Sequence, residues 1–291
     1  MATMQMPRPI ELIPAERQAL WGWPAVINFA LGGLGAGLYV VAVTAAGFGP
    51  SPAVTLASWL GPALVLAGFV AVAMEAGRPF RGPRVLARIK TSWMSRELWI
   101  GGAFILLVAG ELAFPLRLHR APAVVAALAL ALVQGFIVRR ARGITAWDVS
   151  LMPLLFLLSA LISGSGLYLL IEVVGGRPAG AALLAVLALL GAGLAAWFRY
   201  LGWSGEPAFV RAVEPLARGR ASRLIVGGGY IAPLGLVTLA ALLPGLAPPA
   251  LLVGGALMLG AQLYAKTLLI LAAGQFRPIT LRGLRVQRRS S

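Results

Sequence analysis

Polar positions along this chain are sparse and clustered, and between the clusters run stretches of almost unbroken apolar residues. Such stretches lie near residues 24–46, 54–74, 98–114, 122–138, 149–170, 180–197, 224–243 and 250–273. A helix needs ~20 mostly apolar residues to cross the ~30 Å hydrocarbon layer, and all eight come close to that length. Backbone polar groups cannot stay unpaired in lipid, and a barrel would alternate apolar with polar residues, so each run is predicted to be a helix. The expected fold is therefore all-α and integral to a membrane, with eight transmembrane helices.

The pattern also repeats. Pro24 leads to Gly35-Ala36-Gly37-Leu38-Tyr39, and about 129 residues later Pro153 leads to Gly164-Ser165-Gly166-Leu167-Tyr168. Gly77-Arg78-Pro79-Phe80 precedes a basic loop and Ile100-Gly101-Gly102, whereas Gly205-Glu206-Pro207-Ala208 precedes another and Val226-Gly227-Gly228. Gln134 and Gln262 keep the same separation to within a residue. A repeat constrains the architecture before anything else does. Four helices per copy is an even number, so both copies enter from one side and form two tandem four-helix bundles in a parallel repeat. The expected divisions are an N-terminal segment 1–23, a first bundle 24–142, a second bundle 143–276 and a basic tail 277–291.

Composition agrees, with 59% hydrophobic residues and a mean hydropathy of +0.88. No soluble domain fits outside the runs. The net charge of +16 is distributed unevenly. Lys and Arg concentrate before residue 24 and in the stretches 75–96, 139–148, 199–223 and 277–291, while Arg117, Arg120 and Arg177 alone fall on the other side. The positive-inside bias makes both termini cytoplasmic. The first apolar run is too long for a cleaved leader and its upstream flank carries acids, so it reads as a span. Anionic lipid headgroups account for part of the basic face; an acidic protein partner is the sharper alternative, and nucleic acid fits less well than either.

Chemistry is limited by what is missing. Cysteine is absent, which excludes disulfides and thiolate-held Fe–S clusters in this chain. The one histidine, His119, falls in a short external loop, so paired axial ligands for haem are lacking. No arrangement for a catalytic nucleophile or a metal is visible. What remains is a set of polar residues at membrane depth, where they are costly and mark a cavity or a partner. Asn28, Glu75, Glu97 and Gln134 share one depth near the cytoplasmic boundary of the first bundle, around a loop containing Arg78, Trp93 and Arg96. The second copy has about Ser204 and Arg223 where the first has Glu75 and Glu97, so these acids belong to the first copy only. They read either as solvated helix ends, Glu97 suiting a helix N-terminus, or as carboxyls exchanging protons with a bound redox molecule. Lys266 and Gln262 share a face of the last helix and read as a snorkelling lysine or a buried pair. Glu111 reads as an interfacial acid, with a proton route as the minor alternative. Gly33 and Gly37 allow close helix approach, or clear room for a flat ring.

These stretches resemble the NrfD/DmsC-type membrane subunits, which include the anchors of dimethyl sulfoxide reductase, polysulfide reductase and membrane-bound sulfite dehydrogenase. The resemblance is carried by Trp23-Pro24 through Gly37, Glu75-Ala76-Gly77-Arg78-Pro79, Ser92-Trp93-Met94-Ser95-Arg96-Glu97, Trp147 to Pro153, and Gly260-Ala261-Gln262-Leu263-Tyr264-Ala265-Lys266. It implies a haem-free subunit of the bacterial or archaeal cytoplasmic membrane that binds menaquinone or ubiquinone in its first bundle. It further implies electron exchange with a ferredoxin-like Fe–S subunit, which serves a molybdopterin subunit containing molybdenum or tungsten. In that reading Glu75 and Glu97 exchange protons, Asn28, Gly33, Gly37 and Gln134 contact the quinone, and Arg78, Trp93 and Arg96 shape the pocket mouth and the partner contact. The Fe–S partner is expected on the basic cytoplasmic face. The dimethyl sulfoxide reductase anchor has a His in place of Glu75, and an acid and an Arg in place of Gln262 and Lys266. The chain is not by itself catalytic for the partner's substrate. The competing readings are a secondary transporter built on the same parallel repeat and a passive anchor without a cofactor.

Overall fold

The computed structural model describes residues 10–75, 87–114, 117–176 and 180–281. The long elements are α1 (Trp23–Ala45), α2 (Pro52–Glu75), α3 (Trp93–Ala113), α4 (Arg120–Arg140), α5 (Met152–Val174) and α6 (Gly180–Leu201). A short helix, α7 (Pro207–Ala217), precedes α8, which starts at Gly219 and ends at Leu242, and α9 (Ala247–Leu271) follows. The middle of α8, Arg223–Ile231, is wound as a π-helix. Seven of these helices, all but α3 and α7, are long and apolar enough to cross a membrane. The 21 residues of α3 match α4 in length, but Arg96, Glu97 and Glu111 make it more polar.

Helix α1 is the hub. It packs on α2, α4, α5 and α9, and sixteen of its 23 residues are buried. Its glycines explain how closely the neighbours come. A Cβ on Gly37 would overlap the carbonyl of Ala160 in α5, and one on Gly164 would overlap the backbone of Gly37. The α1–α5 seam is thus backbone against backbone, the packing that small residues permit inside a bilayer. The neighbours of the first four helices recur later in the chain. α1 meets α2, α3 meets α4, α1 meets α4 and α2 meets α3; likewise α5 meets α6, α8 meets α9, α5 meets α9 and α6 meets α8.

One end of the molecule is tied together outside the spans. Strand β1 (Ile10–Ile13) pairs antiparallel with β2 (Ile279–Leu281), and isolated bridges join Arg17 to Gln275 and Ile144 to Phe276. Both terminal segments and the α4–α5 connection therefore share a face. Trp21 stacks on Trp147 at 4.9 Å, and Trp147 Nε1 donates to the Leu269 carbonyl at 2.9 Å.

Two features differ from the hydropathy reading. Helix α3 begins at Trp93 rather than near residue 98, because Ser92 caps it: its hydroxyl accepts from the Ser95 amide at 3.3 Å. Helix α7 is too short and amphipathic to register as a span. It buries Phe209, Ala212, Val213 and Leu216, a stripe at helical spacing, and lies on the surface.

Candidate functional site

Early capping of α3 places Glu97 in its second turn, facing the bundle, and the residue is only 5% exposed. Two amides reach its carboxylate. Asn28 Nδ2, from α1, donates to Glu97 Oε1 at 2.9 Å, and Gln134 Nε2, from α4, donates to the same oxygen at 3.1 Å. Gln134 Nε2 also lies 3.3 Å from the Asn28 carbonyl. Both amides are buried. Gly32 makes the arrangement possible, since a Cβ there would strike Gln134 Nε2. Gly68 of α2 closes the other side: a Cβ would lie 3.0 Å from Asn28 Oδ1. Three helices thus meet at one carboxylate with no cation paired to it among the described residues. Asn28 Oδ1 and Gln134 Oε1 remain buried acceptors without a donor among the described residues.

Nearby on α3, Trp93, Met94 and Arg96 line an open cleft of about 590 Å³. Trp93 stacks on Phe136 with centroids 4.4 Å apart, and the Arg96 guanidinium sits 4.3 Å over the Trp93 ring. Arg96 also donates to the carbonyls of Ile89 and Lys90, both at 2.9 Å, fixing the segment before α3. Lys90, Arg140 and Trp21 complete the basic and aromatic rim. Beside it lies a second hollow of about 240 Å³ lined by Arg139, Arg140 and Arg142 with Asp148. The cleft volume falls within the ~300–1,000 Å³ typical of small-molecule sites.

The other candidates are placed as follows. The Glu75 side chain and Arg78 lie outside the described residues. Gly33 faces Lys266, whose Nζ lies 2.7 Å from where a Cβ would stand, and Gly37 faces the α5 backbone. Lys266 is 4% exposed and donates to the Phe29 carbonyl of α1 at 3.1 Å, with its ammonium 5.8 Å from the Phe156 ring centre. It is buried at the meeting of the two halves. Gln262 is buried one turn earlier on the same helix. Glu111 lies toward the opposite end of α3 and accepts from Tyr39 Oη at 2.7 Å and from Arg120 Nε at 2.6 Å. Arg120 is anchored again by the Phe48 carbonyl at 2.7 Å. Glu111 is therefore paired with a cation, and among the described residues no other candidate bonds to it.

Sequence reasoning did not single out Trp21, Arg140, Tyr39 or Arg120. Tyr39 closes the glycine motif that marks the repeat, and its hydroxyl needed a partner at that depth; Arg120 was one of only three cations on its side.

No curated protein matches the chain. The family model described as DMSO reductase anchor subunit (DmsC) matches residues 17–197, more than half of the sequence, a span that includes Asn28, Glu97, Gln134 and the whole cleft rim. With its apolar helices and the buried polar centre of its first half, this chain belongs to the DmsC family of membrane anchor subunits.

Proposed function

We propose that the chain is the quinone-binding anchor of a multisubunit molybdenum or tungsten oxidoreductase, built as two tandem four-helix bundles with α3 as the eighth span. In this reading the first bundle binds menaquinone or ubiquinone. The observation that carries it is the buried Glu97 carboxylate, shared by two amides from different helices and next in sequence to Arg96, which lines an open cleft of ligand size. A carboxylate withdrawn from both water and cations is expensive to keep unless it serves a purpose.

The residues fit such a ligand. Asn28 Oδ1 and Gln134 Oε1 are acceptors awaiting hydroxyl donors, while Arg96 and Trp93 offer a cation and an aromatic face at the rim. A bound quinone supplies two-electron chemistry coupled to two protons. Glu97 is the group on this chain that gives or takes a proton, and the Asn28 and Gln134 amides hold its carboxylate in place. Glu75, at the end of α2, is assigned to proton exchange together with Glu97. Arg78 would join the rim from the neighbouring loop. The basic face faces the cytoplasm and receives a ferredoxin-like Fe–S subunit, which connects to the molybdopterin subunit. Both termini are cytoplasmic, in a bacterial or archaeal inner membrane. The crowding of polar groups near one end of the first bundle argues against a transporter, whose site would sit at the midplane.

The test is Glu97→Gln in the assembled complex, a change that preserves shape and removes the exchangeable proton. Quinone turnover should fall at least ~100-fold, the lower range for general acid–base groups, with the complex still assembled. Undiminished turnover would remove Glu97 from the reaction.

A further inference from the structure

The second half holds a polar centre of its own that the reading above does not use. A small cavity lies among α5, α6, the π-wound part of α8 and α9, and has about 30 Å³ of free space. Its walls include Phe156, Trp197, Tyr200 and Tyr230. Three hydrogen-bonding atoms on its lining are buried without a partner: Ser159 Oγ, Trp197 Nε1 and Gln262 Nε2. Trp197 and Gln262 are 5% and 2% exposed. The same cavity is lined by Lys266, whose ammonium has three protons and a single neutral acceptor, the Phe29 carbonyl. Tyr200 already donates to the Ala146 carbonyl at 3.1 Å.

All four groups can donate; the acceptors on the cavity wall are neutral hydroxyl oxygens, those of Ser159, Tyr200 and Tyr230, the last beside Gln262, and no described acid lines it. Trp Nε1 cannot accept, an ammonium cannot accept, and an amide nitrogen cannot accept. Unmade bonds of this kind are costly inside a folded protein. Glu97 of the first half is not bonded to Lys266, and its Oε1 is already shared by Asn28 and Gln134. The site therefore lacks an acceptor with a negative charge. Size narrows the choice: organic ligands need ~300 Å³ or more, whereas roughly 10–15 Å³ of such free space already holds one water, so the cavity takes one or two waters or a small ion.

We propose that this cavity is a structural binding site for a small monovalent anion of halide size, held by Lys266, Gln262, Trp197 and Ser159. The anion neutralises Lys266 where the two halves meet and accepts the three orphan donors at once. This inference is independent of quinone binding in the first half.

The test uses the full chain purified in nanodiscs. Crystals or frozen specimens prepared in bromide should show bromide scattering inside the cavity, and exchanging chloride for gluconate at constant ionic strength should lower the thermal midpoint by several degrees. Lys266→Met should abolish both the bromide signal and the chloride dependence. Should that variant fail to assemble, Trp197→Phe together with Ser159→Ala should weaken the apparent chloride affinity at least tenfold. Water alone in the cavity, or a chloride effect of equal size in the variants, overturns the proposal.

Discussion

The two halves of this chain bring matching helices together yet settle their buried polar groups in opposite ways. In the first, α3 is a regular helix that supplies a carboxylate, and the glutamine of α4 donates to it. In the second, the counterpart of α3 is α8, wound through Arg223–Ile231 as a π-helix, and the glutamine of α9 has an amide nitrogen with no acceptor. Gly227, Gly228 and Gly229 fall inside the π segment, and a Cβ on Gly229 would come within 2.6 Å of the Ala261 side chain. π-Winding of this kind tends to mark functional sites. The lesson is that similar helix neighbours can surround different polar chemistry: the first half has an acid at Glu97 that accepts from the Gln134 amide, whereas the Gln262 amide nitrogen has no acceptor among the described residues.

The largest effect is expected where the halves meet. Gly37→Val would drive a methyl pair into the Ala160 carbonyl, and backbone on backbone cannot yield as a flexible side chain would. Folded protein should be lost from the membrane fraction. Gly235→Val, a glycine of α8 with open space around it, should accumulate normally. If both express alike, the seam is not what aligns the two centres.

Next comes the acid itself. Glu97→Leu strands the Asn28 amide, an unsatisfied buried donor costing roughly 1–3 kcal/mol, while Gln134 Nε2 keeps the Asn28 carbonyl as its acceptor. In a bilayer the cost trends toward the lower end, because interhelical bonds there average about 0.6 kcal/mol. A loss of about 1 kcal/mol in a detergent unfolding titration is expected, along with loss of quinone turnover. Glu97→Gln should retain most of the stability and lose the turnover, which separates the structural from the chemical part of the role.

The comparison can also be reversed by giving the second half its acid. Gln262→Glu places a carboxylate one turn before Lys266 on the same helix, the favourable order for a helical ion pair. Such pairs add roughly 0.2–0.5 kcal/mol on exposed helices, and more is expected where the lysine is otherwise uncompensated. The variant should be as stable in gluconate as the parent is in chloride, by thermal unfolding. A variant that still required chloride would show that charge on Lys266 is not what the second centre lacks.

Much of this was legible in the sequence, and the misses share a cause. Depth could be read from position along each run, so Asn28, Glu97 and Gln134 were brought to one level without coordinates. Direction around a helix axis could not, because α1 and α4 are apolar on all sides and offer no stripe to orient them. Thus Lys266 read equally as snorkelling or paired; its acceptor, the Phe29 carbonyl, belongs to the backbone and leaves no mark on side-chain patterns. The pairing of Ile10–Ile13 with Ile279–Leu281 was hidden by sequence distance and by the shortness of both strands. The stripe of α7 was present in the residues, but a search tuned to membrane runs passes over an eleven-residue amphipathic helix.

The smallest effect gives the sharpest contrast. Ser159 Oγ has no partner in the protein, so Ser159→Ala removes no hydrogen bond and relieves one unsatisfied buried group. In gluconate its stability should lie within about 0.5 kcal/mol of the parent, the usual range for a change that breaks nothing. In chloride the same substitution should cost more, because an anion in the cavity loses one of its four donors. The corresponding truncation in the first half, Gln134→Ala, removes a donor from a carboxylate that is always present, so its cost should not depend on which anion fills the buffer. A self-sufficient centre and an anion-dependent one are thus distinguished by whether the penalty of losing a donor changes with the salt.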